Sequence, residues 1–219
     1  MTQIKKEKDR TELVFILDRS GSMSGLESDT IGGFNAMLEK QRALENACRI
    51  TTVLFDDHYE LLHDAADITT VRNMTREHYE VGGLTALLDA VGWTIGRISS
   101  RRQEENILSG QVLFVIMTDG MENASREYTV DAIRRLIEYR QADFGWEFLF
   151  LGANFDAVET ASRYGIRANR AQNWHADASG VRGNFQAISE VIVSMCDSEP
   201  VSDDWAESIR EDYENRDLC

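Results

Sequence analysis

Apolar residues follow two distinct rhythms along the chain. Three short runs are almost unbroken: Glu12–Leu17 (ELVFIL), Val112–Met117 (VLFVIM) and Trp146–Leu151 (WEFLFL). Continuous runs of this length predict strands covered on both faces, as in a parallel sheet. Elsewhere apolar residues recur every three or four positions, which predicts helices. Residues 28–47 place Ile31, Phe34, Leu38 and Leu44 near one face. Thr85–Ile98 does the same with Leu88, Val91, Ile95 and Ile98, and Tyr128–Gln141 with Val130, Ile133 and Ile137. Asp156–Tyr164 reads as a helix stopped by Gly165. Val181–Met195 carries the cleanest stripe: Val181, Phe185, Ile188, Ile192 and Met195. Ile50–Phe55 and Tyr59–His63 are β-like and separated by Asp56-Asp57-His58, which predicts a hairpin.

Strands alternating with helices predict an α/β fold: a doubly wound sheet with helices on both faces. Open sheets of this kind bind ligands beyond the carboxyl ends of their strands, where strand order reverses. The residues to inspect therefore follow Leu17, Met117 and Leu151.

Composition narrows the class. The chain has 219 residues with 23 Lys+Arg against 38 Asp+Glu, a formal charge of −15. This charge repels polyanions, so nucleic acid is not an expected partner. No stretch approaches 18 uninterrupted apolar residues, and the N-terminus MTQIKKEKDR lacks a signal-peptide core, so a cytoplasmic protein without a membrane span is expected. Three organisational units are expected: a basic extension at 1–10, a body at 11–196 and an acidic tail at 197–219. In the tail Trp205, Ile209 and Tyr213 recur every four residues, as in a short helix docked on the body or awaiting a partner. Three widely spaced cysteines, Cys48, Cys196 and Cys219, argue against a disulfide framework or a C-x-x-C metal ribbon, and the first two are expected in the core.

The chemistry gathers at the strand ends. Asp18-Arg19-Ser20-Gly21-Ser22 places three oxygen-bearing side chains at alternate positions after the first strand, where they can converge. Thr118-Asp119-Gly120 follows the second buried strand, and Gly82-Gly83-Leu84-Thr85 precedes a helix. Asp18, Ser20, Ser22, Thr85 and Asp119 together offer two carboxylates and three hydroxyls. An all-oxygen set suits Mg²⁺, with Mn²⁺ or Ca²⁺ as alternatives, over zinc or copper. Neutral hydroxyls leave the coordination sphere incomplete, so an incoming carboxylate from a partner's Asp or Glu would complete it.

These three segments resemble the von Willebrand factor type A (VWA) domain, whose metal-ion-dependent adhesion site (MIDAS) they would carry. The resemblance covers about Thr11 to Cys196. It implies a Rossmann-like, mostly parallel six-stranded sheet with one antiparallel edge strand. It also implies that Ser20 and Ser22 bind the metal directly, Thr85 directly or through water, and Asp18 and Asp119 largely through water or through the coordinating hydroxyls. FLGANFDAVETASRYGI resembles small single-domain bacterial and phage members, including the tellurite-resistance-like group.

Each signal also has a plain structural reading. The Asp-x-Ser-x-Ser could be a capped turn, Thr85 a helix N-cap and Asp119-Gly120 a tight turn. Gly32-Gly33 suggests close packing or a bend, because no phosphate-loop signature accompanies it. Met23, Ser24, Asp56, Asp57, Glu122, Asn123 and Asn154 are candidates for partner specificity around the metal, against a reading as solvated loops. Arg19 lies inside the motif, where it could reach the rim. No histidine has the context of a catalytic triad, so a non-enzymatic binding module is expected. The alternative is a Mg²⁺-dependent phosphohydrolase, although Asp18-x-Ser20 lacks a second acid and no phosphate clamp of Lys or Arg is evident.

Overall fold

The computed structural model describes residues 11–44, 48–107 and 109–217. The basic extension, the end of the helix expected over 28–47, and Cys219 lie outside the described residues. Strand β1 (Thr11–Asp18) leads through a short 3-10 turn (Gly21–Met23) into α1 (Glu27–Ala43). Strands β2 (Cys48–Phe55) and β3 (Tyr59–Asp67) form the expected hairpin. They are followed by α2 (Leu87–Glu104), β4 (Val112–Thr118), α3 (Val130–Phe144), β5 (Glu147–Gly152) and α4 (Ala157–Arg163). The chain continues with β6 (Ala171–Asn173), α5 (Ala178–Cys196) and α6 (Glu207–Asp217).

The six strands form one sheet in the order β3-β2-β1-β4-β5-β6. All neighbours are parallel except β2 and β3. The α/β class, the mostly parallel sheet and the antiparallel edge strand are as expected. Strand β6, only three residues long, carries no periodic signal and was not expected from the pattern.

Alternation along β1 divides the core into two layers. Leu13, Phe15 and Leu17 face α1 and α5, where they join Phe34, Leu38, Phe185, Ile188 and Ile192. Val14 and Ile16 face α2 and α3, joining Val91, Ile95, Ile133 and Ile137. Gly33 permits the close approach of α1 to α5: a Cβ there would lie 2.4 Å from the Phe185 ring. The close packing expected at Gly32-Gly33 thus falls on Gly33. In the acidic tail Trp205 and Ile209 are buried in the first layer, and the Trp205 indole donates to the Asn169 carbonyl.

Strand order places the site. From β1 the chain moves to β2 on one side, and from β3 it crosses over to β4 on the other. The carboxyl ends of β1 and β4 therefore flank the reversal point, with Leu17 in register with Met117. Asp18 closes β1, and Asp119 follows β4 directly.

Candidate metal centre

The sheet brings Asp18 and Asp119 side by side, and two loops bring the hydroxyls to them. The Asp18 carboxylate accepts from the Ser20 backbone N–H at 2.7 Å and from the Thr118 hydroxyl across the β1–β4 boundary. Ser20 and Ser22 hydroxyls lie 3.1 Å apart. The Thr85 hydroxyl donates to Ser20 Oγ at 3.0 Å, and Ser22 Oγ donates to Asp119 Oδ1 at 2.5 Å. All five residues expected at the site thus form one hydrogen-bonded cluster. Asp18, Ser20, Thr85 and Asp119 are buried, while Ser22 is exposed and opens the cluster to solvent.

Backbone bonds clasp the loops around this cluster. Gly21 N–H donates to the Gly83 carbonyl, and Gly82 N–H to that of Arg19. Asn123 N–H donates to the Thr85 carbonyl while the Asn123 side chain accepts from Thr85 N–H at 2.9 Å. The buried Tyr79 hydroxyl donates to the Asp18 carbonyl. Thr85 is not the N-cap of α2. That position belongs to Ala86, which makes no side-chain cap, and the Thr85 hydroxyl is turned into the cluster instead. The Asp-x-Ser-x-Ser does form a turn, since Asp18 binds Ser20 N–H, but the hydroxyls converge as well.

Burial dominates the electrostatics. It pushes Asp18 up to about 6, only partly opposed by the hydrogen bonds from Ser20 and Thr118, and the charge of Asp119 adds to the rise. Burial also raises Asp119, opposed by the Ser22 hydrogen bond. Two carboxylates with neutral donors around them favour an added positive charge.

A cation also needs space, and Gly120 supplies it. A Cβ at Gly120 would lie 2.9 Å from Ser22 Oγ and 3.1 Å from Thr85 Oγ1. The missing side chain leaves a cradle over the three hydroxyls. The donor chemistry and the cradle both fit a hard divalent cation.

The surrounding residues divide differently from the sequence expectation. Glu122 is a loop organiser, accepting from the backbone N–H groups of Leu88, Ala124 and Ser125. Asn154 donates to the Asp119 carbonyl. Asp56 is held by Arg19 and by the His58 N–H, and Met23 is buried. Ser24 and Asp57 remain exposed. Arg19 does not project over the rim: its guanidinium binds Asp56, Glu60 and the His78 carbonyl. The sequence did not single out Leu84 and Met121, which adjoin Thr85 and Gly120, or Trp93 on α2; all three expose large apolar side chains. Leu84 and Trp93 line a cleft of about 550 Å³ together with His58, Asn123 and Arg126. For Leu84 and Met121 the available signal was a large apolar residue within a predicted polar loop; Trp93 lies inside a predicted helix and gave none.

A second group, Asp56, Asp57 and His58, brings one ligand atom from each residue within 4.8 Å of the others. Its donors are also compatible with a divalent cation, although Asp56 is already paired with Arg19.

The fold matches those of von Willebrand factor type A domains. The vWF domain of the type V pili tip protein Mfa5 from Porphyromonas gingivalis superposes with a TM-score of 0.60 and 12% identity, over 89% of this chain and 99% of that one. The von Willebrand factor type A protein from Catenulispora acidiphila gives 0.53 and 14% identity over 84% and 42%. The PilB minor pilin from Streptococcus sanguinis gives 0.58 and 12% over 84% and 61%. The chain thus spans about half the length of the last two. No family model matches the sequence, and no curated protein matches it. Among the described residues no helix is long and apolar enough to cross a membrane.

Proposed function

We propose that this chain, with its von Willebrand factor type A fold, is a protein-binding module that engages an acidic side chain of its partner through a divalent cation. The observation that carries this reading is the convergence of Asp18, Ser20, Ser22, Thr85 and Asp119 beneath the Gly120 cradle, open to solvent at Ser22. Ser20, Ser22 and Thr85 would hold Mg²⁺, or Mn²⁺ or Ca²⁺, through their hydroxyls. Asp18 and Asp119 orient those hydroxyls and supply the negative charge. The bound cation would supply a positive charge and an unfilled coordination position for an anionic oxygen.

The rest of the rim supports binding over hydrolysis. Arg19, the basic residue inside the motif, is engaged by Asp56 and Glu60 rather than turned toward a phosphate position. Exposed Leu84 and Met121 offer apolar surface on which a protein partner could pack around its carboxylate. Structural neighbours from pilus proteins support the same class of function.

Calorimetry of the purified chain with Mg²⁺ or Mn²⁺ tests the reading. One binding site is expected, lost in Asp18→Ala and in Ser22→Ala, with circular dichroism unchanged. Undiminished binding in both variants would refute it. A partner captured in Mg²⁺, released by EDTA and not captured by Asp119→Ala would identify the second half of the interaction.

A further inference from the structure

Two cysteines separated by 148 positions meet where β2 begins and α5 ends. Cys48 is the first residue of β2, in register with Thr11 of β1, and is fully buried. Cys196 is the last residue of α5 and is half-buried. Their Sγ atoms lie 2.9 Å apart as thiols, inside ordinary van der Waals contact for two sulfurs. A disulfide places its sulfurs about 2.05 Å apart, so bond formation requires a movement of under about 1 Å. Wide spacing in the sequence argued against disulfides, but the fold removes that objection for this pair.

We propose that Cys48 and Cys196 are a disulfide-forming pair, which on oxidation ties the end of α5 to the start of β2. The proposal is independent of the cation site, which lies at the opposite, carboxyl ends of the parallel strands. Cys196 is the more accessible sulfur and reacts first. The neighbouring Cys48 thiol, through its hydrogen bond, holds the Cys196 pKa below the ordinary thiol value. With a peroxide as oxidant, the Cys196 thiolate attacks one oxygen, the O–O bond breaks, and hydroxide leaves. The resulting sulfenic acid is attacked by the Cys48 sulfur; the S–S bond forms and the S–O bond breaks. Two thiols lose two electrons and two protons, and one hydrogen peroxide becomes two waters.

The bond has a physical consequence. It closes a long loop, and cross-links between distant positions restrict the denatured chain most. It also fixes α5, whose apolar stripe packs beneath β1, at the point where the chain departs toward α6.

The full chain carrying Cys219→Ser provides the test, because the thiol outside the pair is then removed. After native treatment with hydrogen peroxide, thiols are blocked and the digest is mapped by mass spectrometry without reduction. A Cys48–Cys196 linked peptide from monomeric protein is expected. The melting temperature should rise by about 5–10 °C and return on adding dithiothreitol. Cys196→Ala, at the less buried position, should retain the fold and show neither change. Three results would overturn the proposal: both thiols surviving peroxide, Cys196 advancing to sulfinic acid beside an unreacted Cys48, or linkage only between chains.

Discussion

Strand β1 carries a buried carboxylate at each end, and the two have opposite surroundings. Glu12, near its amino end, faces two guanidinium groups: Arg101 pairs with one oxygen and Arg102 lies 3.5 Å from the other. Asp18, at its carboxyl end, receives only a backbone N–H and hydroxyls. Both are buried, at 3% and 1% exposure respectively. A carboxylate buried with its own cation is internally compensated. A carboxylate buried among neutral donors, beside a second carboxylate, retains a demand for positive charge that a ligand can meet. The same residue chemistry is therefore structural at one end of the strand and receptive at the other, and the difference lies in what the neighbouring elements supply.

The largest expected effect breaks the compensated end. Glu12→Ala leaves Arg101 and Arg102 half-buried without their central partner and should cost about 3 kcal/mol in urea denaturation. Arg101 keeps Asp64, which limits the loss. Cation affinity measured by calorimetry should not change, because the substitution leaves the site at the other end intact.

Asp18→Asn sharpens the comparison from the other side. It keeps the shape and removes the charge, so Mg²⁺ affinity should fall by about 100-fold, while the metal-free fold should be at least as stable. The pH dependence fixes the sign. The folded pKa of about 6 lies above the ordinary 3.8, so the folded state holds this proton more tightly than the unfolded state. The resulting stabilisation is complete below about pH 4 and is lost as pH rises through 6, by about 3 kcal/mol in all. Thermal denaturation in EDTA between pH 4 and 7 should show this loss in the wild-type chain relative to Asp18→Asn. Adding Mg²⁺ at pH 7 should restore it in the wild type alone.

The smallest change tests space rather than charge. Gly120→Ala inserts a methyl group 2.9 Å from Ser22 Oγ and should weaken Mg²⁺ binding by about 10-fold, with a stability change near 1 kcal/mol. Unchanged affinity would show that the cradle is not where the cation sits.

Much of the architecture was legible locally. The unbroken runs in β1, β4 and β5 identified buried strands, because each residue of such a strand meets a covering layer. The stripe of α5 identified its packing face. Strand β6 was silent: three residues, Ala171, Gln172 and Asn173, are too few to establish a period. Which rim side chains are engaged within the loops was not legible, because polar loop residues look alike in sequence. Glu122, Asn123 and Asp56 spend their side chains on backbone groups or Arg19, whereas Leu84 and Met121 carry the exposed surface.

By itself the sequence determined the two hydrophobic rhythms, the α/β class and the five oxygen-bearing side chains at the ends of predicted elements. These are properties of neighbouring residues, expressed through strand and helix periodicity. Tertiary structure alone decided that β4 lies beside β1, that Thr85 turns toward Ser20 rather than capping α2, and that Cys48 touches Cys196. Such encounters depend on strand order and on packing between elements as many as 148 positions apart, and no local period encodes them.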